Sequence, residues 1–245
     1  MKNVLITGAS SGVAQALSRM LAGQGWGMVL VCRDTARLDP GVGQAHSADV
    51  STEAGAQDAL QAAITAFGRL PDAVVNCAGN SLIAAIARTS EAQYRTVLSA
   101  NLDTAFFVAK AYAGALAAAK QGGALVLFSS VVAATGVANH AAIAAAKGGI
   151  ESLTRALAAD HAGIGLRVNC IAPGLMRTPM TARMLGNEAS VRQIAAQYPL
   201  GRHGEAEDAA ALAAFLVGDA ASWITGQVIA VDGGFSAVRP LVKAG

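Results

Sequence analysis

A glycine-rich turn near the start of the chain has residues that could hold a phosphate group. It reads Thr7-Gly8-Ala9-Ser10-Ser11-Gly12-Val13-Ala14 and lies between an apolar run and a helical pattern. Glycines let the backbone approach a pyrophosphate closely, and the N-terminus of a helix favours its negative charge. Turns of this composition also occur where a helix only packs against a strand, so the turn alone indicates a dinucleotide site without establishing one.

A second group of residues has the spacing of a catalytic site but lacks an acid. Ile143 precedes Lys147 by four residues, which places both side chains on one face of a predicted helix. The Lys147 ammonium can donate hydrogen bonds, whereas an Ile side chain has no proton to give and no lone pair to accept one. Proton transfer at this face therefore depends on groups other than Ile143.

The elements that must position these residues alternate between short apolar strands and Ala-rich helices. Strands are predicted at Val4–Thr7, Met28–Cys32, Ala73–Asn76, Ala124–Ser129, Arg167–Ile171 and Val228–Val231, and helices at about 12–24, 53–67, 90–117, 143–162 and 206–218. The strands lack polar alternation, as expected when both faces of a sheet are covered. This order predicts an α/β fold with a Rossmann-type, doubly wound parallel sheet. No linker divides residues 1–245, which we interpret as a single domain.

Composition limits the partners that the chain can have. Hydrophobic residues make up 53% of its 245 residues and charged residues 14%, and the mean hydropathy is +0.44. Such an apolar balance arises either from an Ala-rich core or from surface that is buried between subunits. We favour the second, as in a homodimer or homotetramer. The net charge is +2 without a basic run, so we expect no nucleic-acid partner.

Cysteine usage and the absence of a leader pattern indicate a cytoplasmic protein. The three cysteines, Cys32, Cys77 and Cys170, lie far apart and match no metal-ligand spacing, so neither a metal site nor a disulfide framework is expected. The uncharged stretch from Gln121 to Ala146 is long enough to span a bilayer. Its paired glycines, serines and polar turn residues instead indicate a buried strand, a loop and the start of a helix, so we expect no membrane association.

Taken in order, these motifs resemble the short-chain dehydrogenase/reductase family over about residues 2–236. The glycine-rich turn resembles the family's Thr-Gly-x-x-x-Gly-x-Gly, with Ala14 at its last position, and Asn76-Cys77-Ala78-Gly79 resembles Asn-Asn-Ala-Gly. The run from Leu200 to Arg202 is similar to the 3-oxoacyl-ACP reductase branch. The run from Gly226 to Gly234 resembles the family's last strand and its subunit interface.

The resemblance implies a nicotinamide cofactor, and the end of the second strand favours NADP(H). The family position of an acidic ribose contact falls on Cys32, and Arg33 follows, where it could face a 2′-phosphate, although Asp34 is close enough to complicate this. The cofactor-binding residues that the resemblance implies are Gly8, Ser10, Ser11, Gly12, Val13, Arg33, Asp49, Val50, Asn76, Ala78, Gly79, Lys147, Pro173, Gly174 and Thr178.

The resemblance also implies a catalytic group of four positions, one of them altered. Asn101 matches the family's helix Asn, and Ser130 precedes Ile143 at the spacing at which the family's catalytic Ser precedes its Tyr, with Ser129 as an alternative. Ile143 occupies the position of that Tyr. Lys147 matches the Lys that holds the nicotinamide ribose.

Other groups could replace the missing acid. His140 lies three residues before Ile143, and Tyr198 lies beside the segment Met176–Pro199, which forms either a lid or an ordinary pair of surface helices. Met180 and Met184, with Met176, could form an adaptable apolar pocket wall or belong to the core.

Two functions agree with this pattern. The first is an NADP(H)-dependent oxidoreductase that reduces a small-molecule carbonyl or acyl thioester, of the 3-ketoacyl type, without Tyr. The second is a non-catalytic NADP-binding subunit that pairs with an active homologous reductase.

Overall fold

Seven parallel strands form the central sheet of residues 1–239, the part of the chain that this computed structural model describes. The strands of the chain are β1 (Asn3–Thr7), β2 (Gly27–Cys32), β3 (Gln44–Ser47), β4 (Ala73–Asn76), β5 (Gly123–Phe128), β6 (Leu166–Pro173), β7 (Met176–Arg177), β8 (Gly204–Glu205) and β9 (Val228–Val231). The sheet order is β3-β2-β1-β4-β5-β6-β9, and β7 pairs separately with β8. Because the chain winds outward in both directions from β1 and β4, the sheet is doubly wound, as predicted.

Helices cover both faces of the sheet. They are α1 (Gly12–Gly23), α2 (Glu53–Phe67), α3 (Glu91–Leu98), α4 (Thr104–Ala119), α5 (Ala141–His161), α6 (Glu188–Ala195) and α7 (Ala206–Val217). One core cluster joins α1 and α7 to one face of the sheet, and a second joins α2, α4 and α5 to the other. The result is a three-layer Rossmann-type domain, which confirms the predicted fold class.

Local sequence explains where these helices begin and end. Ser11 caps α1 by accepting a hydrogen bond from the Ala14 N–H, and Thr52 caps α2 in the same way through the Gly55 N–H. Gly68 ends α2 with φ of 68°, a left-handed conformation that suits glycine. The turns after β1 and β3 are therefore held at a defined geometry, and both lie beside the functional site.

Between α3 and α4 the helix widens into a π-helical segment, Ser99–Asp103. The sequence predicted one uninterrupted helix at about 90–117. A π segment of five residues is too short to change the hydrophobic periodicity, so the pattern could not reveal it. Glu91–Ala119 as a whole has the length and composition of a membrane-spanning helix, and 39% of its most apolar window is buried in the fold. Core helices of soluble proteins have the same properties.

Three strands and one longer segment differ from the sequence-based expectation. The edge strand β3 was missed because its residues are polar or exposed, and the two-residue strands β7 and β8 are too short to give a pattern. Met176–Pro199 contains β7, a series of turns and the single helix α6, not a pair of helices. The uncharged stretch from Gln121 to Ala146 forms β5, a turn and the start of α5, as predicted.

Candidate active site

A cleft of about 1120 Å³ opens along the carboxyl ends of the central strands. Gly8 follows β1, Ala78 follows β4, Ser130 follows β5 and Gly174 follows β6, and all four residues line the cleft. Open α/β sheets bind their ligands at this edge, where the strand order reverses.

The glycine-rich turn lines the cleft and leaves no room for a side chain at Gly8 or Gly12. Gly8 has φ of +64°, and a Cβ there would lie 2.3 Å from the backbone nitrogen of Ala78. A Cβ on Gly12 would lie 3.0 Å from Cγ2 of Thr178, so the segment after β6 packs directly over the turn. The bare backbone at the start of α1 therefore fits a pyrophosphate group.

Cationic side chains surround the end of β2. Arg33 and Arg37 both line the cleft, and neither guanidinium forms an ion pair within residues 1–239. The Asp34 carboxylate instead accepts a hydrogen bond from the Ala36 N–H and does not line the cleft. Cys32 is buried, and its thiol donates to the Asp34 carbonyl oxygen at 3.2 Å. Of the charged residues that follow β2, Arg33 and Arg37 therefore line the cleft, whereas Asp34 does not.

Asp49 is the one acid among the residues that line the described cleft. Its Oδ1 accepts hydrogen bonds from the Ser51 hydroxyl at 2.7 Å and the Ser51 N–H at 3.0 Å. These two hydrogen bonds hold the pKa of Asp49 below its usual range, and the bond from the Ser51 hydroxyl has the larger effect. The adjacent Val50 is buried, so the pair forms a fixed wall beside Arg33.

Lys147 lies at the centre of the cleft with its ammonium almost fully buried. Its Nζ donates to the carbonyl oxygen of Phe128, the last residue of β5, at 2.8 Å. Burial lowers the pKa of Lys147 to about 8. The hydrogen bond points the ammonium at the strand ends, and its remaining N–H groups can bind a ligand.

Asn101 in the π segment offers an acceptor next to Lys147. Its Nδ2 donates to the Val97 carbonyl oxygen and to Oδ1 of Asn80, both at 2.9 Å. Its Oδ1 is the one buried side-chain polar atom without a partner in the described residues. A Cβ on Gly79 would lie 2.7 Å from that oxygen and 3.5 Å from Nζ of Lys147. Because Gly79 has no side chain, a gap lies between the two groups. A water in this gap could hydrogen-bond to both Oδ1 of Asn101 and Nζ of Lys147.

Ile143 forms an apolar wall one helical turn from Lys147. Its side chain is 4% exposed and packs in a cluster with Val97 and Ala146, against which Val132 and Leu102 also lie. The same side chain lines the cleft. No proton donor stands at this position.

Two neighbouring serines differ in how much of their hydroxyl is free. Ser129 is buried, and its hydroxyl donates to the Glu151 carboxylate at 2.8 Å. The Ser130 oxygen only accepts a long hydrogen bond, 3.4 Å, from the Val132 N–H. Ser130 therefore keeps its proton available for a ligand in the cleft, which favours it over Ser129.

His140 and Tyr198 both line the cleft with one polar group engaged. His140 donates from Nδ1 to the Ala138 carbonyl oxygen at 2.7 Å, which leaves Nε2 unengaged. The Tyr198 hydroxyl accepts a hydrogen bond from the Leu175 N–H at 2.8 Å and retains its own proton. Burial raises the pKa of Tyr198, so its proton is held tightly.

The three methionines of the segment after β6 all line the cleft. Met176 is also buried in the core cluster that includes α7, whereas Met180 and Met184 are 54% and 37% exposed. Met176 therefore belongs to both the core and the pocket wall, and Met180 and Met184 belong to the pocket wall.

Almost all of the residues selected from the sequence meet in this cleft. Those lining it are Gly8, Ser10, Ser11, Gly12, Val13, Arg33, Asp49, Val50, Ala78, Gly79, Asn101, Ser130, Ile143, Lys147, Pro173, Gly174 and Thr178. Asn76 does not line it: its Oδ1 accepts from the Thr7 hydroxyl at 2.6 Å and its Nδ2 donates to Thr104, so it ties β1, β4 and α4 together behind the cleft.

Sequence reasoning missed several residues of the cleft. Arg37, Arg95 and Phe235 all line it, and the Phe235 ring lies 5.3 Å from that of Tyr198. Arg37 lies one short helical turn beyond Arg33, a spacing that could have drawn attention to it. Phe235 comes from a distant turn, and no local pattern indicates its position.

Comparisons with known proteins cover nearly the whole chain. A family profile described as enoyl-(acyl carrier protein) reductase matches residues 8–236. Galactitol 2-dehydrogenase (L-tagatose-forming) of Cereibacter sphaeroides is 35% identical over 240 residues, covering 94% of this chain and 93% of that one. The (3R)-3-hydroxyacyl-CoA dehydrogenase of Mus musculus is 34% identical over 247 residues and covers 94% of each chain. The crystal structure of levodione reductase superposes with a TM-score of 0.89 at 30% identity, covering 97% of this chain and 98% of that one.

Proposed function

The chain belongs to the short-chain dehydrogenase/reductase family, and from this membership we propose that it reduces a carbonyl of the 3-ketoacyl type with NADP(H). The family consists of oxidoreductases that bind NAD(P), and similar chains include a hydroxyacyl-CoA dehydrogenase. The observation that carries the proposal is the meeting of Ser130, Asn101 and Lys147 in one cleft with a bare glycine turn.

The choice of NADP(H) rests on the cations at the end of β2. A 2′-phosphate at the adenosine ribose would meet Arg33 and Arg37, which have no ion-pair partner in the described residues. Arg guanidinium groups bind phosphate through charge-assisted hydrogen bonds. Cys32 lacks the carboxylate that would pair with the free ribose hydroxyls of NAD.

The remaining residues would place the two reactants. The turn from Gly8 to Gly12 would hold the pyrophosphate, and Lys147 would hold the nicotinamide ribose through the N–H groups that Phe128 leaves free. The Ser130 hydroxyl would donate to the carbonyl oxygen of the substrate and stabilise the charge that develops there. A bound nicotinamide cofactor supplies the hydride in such a reaction.

Ile143 sets the expected rate. A positioned general acid typically contributes about 10²–10⁴-fold, and Ile143 contributes none. Orientation in the cleft and the Ser130 hydrogen bond remain, so the expected enzyme is slow but measurable. The proton would then reach the carbonyl oxygen from water, or from His140 or Tyr198, which both line the cleft.

The test is a direct assay of the purified chain. NADPH oxidation is followed with short 3-ketoacyl thioesters, and Ser130→Ala serves as the variant that removes the oxygen-binding hydroxyl. We expect slow turnover that falls by about 10²-fold in Ser130→Ala, the usual cost of removing such a donor. Turnover that is unaffected by this change would contradict the assignment of the site.

The buried, apolar environment of Ile143 also favours a second candidate, a non-catalytic NADP-binding subunit that pairs with an active homologous reductase. Such a subunit binds NADPH with the same residues but turns over no carbonyl alone. It should copurify with a related reductase and change that partner's activity. Tight NADPH binding without turnover in the assay above would favour this candidate.

A further inference from the structure

A second, smaller pocket lies beside the catalytic cleft. It has a volume of about 450 Å³, more than a single water needs. Ala85 and Ile86 form one wall, and the opposite wall runs from Val132 to Ala144. No residue of either wall carries a formal charge, apart from His140 when it is protonated.

The side pocket and the cleft lie next to each other and share three lining residues. Val132, Val137 and His140 border both of them. Val132 also packs against the cluster that contains Ile143. An apolar surface therefore runs from the altered position beside Lys147, over Val132, into the side pocket.

The walls of the side pocket are fixed to each other. The Ala84 N–H donates to the Asn139 carbonyl oxygen at 2.9 Å, which ties the loop after β4 to the loop before α5. Asn139 has φ of 63°, a left-handed conformation that Asn tolerates better than most residues. The pocket is thus built into the backbone of both loops.

Exposed apolar side chains stand at the same place. Ile86 is 76% exposed and Ile83, which lines the cleft, is 49% exposed. Both lie within three residues of the hydrogen bond that joins the loops. A ligand that passes from the cleft to the side pocket would remove these side chains from water, which favours an apolar occupant.

We propose that the side pocket receives an apolar arm of the substrate, so that the protein acts on carbonyl compounds that carry an alkyl chain. This rests on the proposed function, because the arm must be attached to a carbonyl that lies between Ser130 and Lys147. The mostly apolar walls favour a neutral arm, which would pass from the reacting centre over Val132 into the side pocket.

The test uses a series of methyl ketones, butanone, octanone and dodecanone, with the cofactor-loaded protein. Dissociation constants are measured by ligand-observed NMR titration, and kcat/KM is measured separately by NADPH oxidation. Each methylene that becomes buried should tighten binding by about fourfold until the pocket is filled. Equal affinity for butanone and dodecanone would overturn the proposal.

Two variants test whether the tighter binding of longer ketones depends on the side pocket. Ala144→Phe fills the pocket, and Ile86→Asp places a charge on its exposed wall, where a folding defect is not expected. Both should lower the dodecanone-to-butanone affinity ratio by tenfold or more, since methylenes then lose their apolar surroundings. Ala87→Phe, on an exposed neighbour that does not line the pocket, should keep the wild-type ratio.

The outcomes separate this proposal from the reductase activity. If dodecanone binds, Ile86→Asp weakens its binding, and neither the ketones nor short 3-ketoacyl thioesters are reduced, the proposed reductase activity is wrong and the alkyl site stands. If ketones are reduced but neither variant changes the affinity ratio, the alkyl site is wrong and the reductase activity stands.

Discussion

At the scale of single residues, the chemistry depends on what stands one helical turn before Lys147. Ile143 is buried against Val97 and Ala146, so its side chain keeps this part of the cleft dry and apolar. Ser130 and Lys147 retain groups that can bind a carbonyl oxygen and a ribose. The groups that could bind the reactants are therefore present, whereas a proton donor at position 143 is absent.

Ile143→Tyr should raise the turnover of a short 3-ketoacyl thioester by roughly 10²-fold, the usual contribution of a general acid. The new phenol would lie one turn from Lys147, whose positive charge should lower the phenol pKa. Ile143→Phe is the matched control, because it adds the same ring without the hydroxyl. Steady-state kinetics of the three proteins check this. A Phe variant as fast as the Tyr variant would show that ring packing, not proton donation, causes any gain.

Arg33→Ala should remove most of the preference for NADPH over NADH. A hydrogen bond to a charged group is worth about 1.5–3 kcal/mol, so NADPH affinity should fall by roughly ten- to a hundredfold while NADH affinity hardly changes. Fluorescence titration with both cofactors measures this, and Arg155→Ala, on the exposed side of α5, controls for the loss of one positive charge. Equal wild-type affinity for the two cofactors would contradict the role of Arg33.

NADPH binding should weaken as the pH rises through the Lys147 pKa of about 8. Because burial has lowered this pKa, Lys147 is charged below that value and neutral above it, so the charge-assisted contact is present at lower pH and lost at higher pH. The expected loss is roughly tenfold, the difference between a charged and a neutral hydrogen-bond donor. Dissociation constants measured on both sides of the pKa test this, and in Lys147→Met the dependence should disappear.

At the scale of elements, the turn between β1 and α1 has space only for glycine at position 8, which can be tested without a ligand. Gly8→Ala places a Cβ 2.3 Å from the Ala78 nitrogen at a φ of +64°. It should lower the free energy of unfolding by about 2–4 kcal/mol through overpacking and backbone strain.

Gly23→Ala, at the other end of α1, provides the matched control. A Cβ there meets nothing within 4 Å. This change should raise the free energy of unfolding by up to about 1 kcal/mol, because Ala loses less backbone freedom than Gly on folding. Urea unfolding of both variants gives the comparison. Equal effects of the two changes would show that the turn is not close-packed.

The elements that the sequence predicted correctly are those with a strong periodic signal. β1 and β2 each contain an apolar run, Val4–Ile6 and Met28–Cys32, and Ser11 and Thr52 cap α1 and α2. β3 escaped prediction because an exposed edge strand needs no apolar run. Ser130 and Lys147 were found through motifs of defined spacing, whereas Phe235 and the side pocket depend on tertiary contacts between segments that are distant in the chain.

At the scale of the whole molecule, we propose that the protein is a homodimer or homotetramer, or joins a related reductase. The sheet ends in β9 at an edge with no strand beside it in the described residues, and Trp223, near that edge in sequence, is 98% exposed. Phe106 on α4 and Phe215 on α7 are also exposed, at 48% and 42%. Apolar side chains of this size on a surface indicate an interaction site.

Light scattering at micromolar concentration should therefore give a mass above that of the single chain, and Trp223→Glu should shift the population towards monomers. A monomeric protein that also retains no related reductase in a pull-down would contradict this proposal.

The π segment between α3 and α4 changes how these two helices are rotated relative to each other about their common axis. A π turn holds one residue more than an α turn, so α3 is rotated by about 100° around the axis relative to an uninterrupted α-helix. α3 packs against α5 at the side of Ile143, whereas α4 packs against α2 and the sheet. Because of the extra residue, one face of α3 points towards the active site while one face of α4 points towards the core. Deleting a single residue from Ser99–Asp103 would therefore put these two faces out of alignment, even if every side chain that binds a ligand were kept.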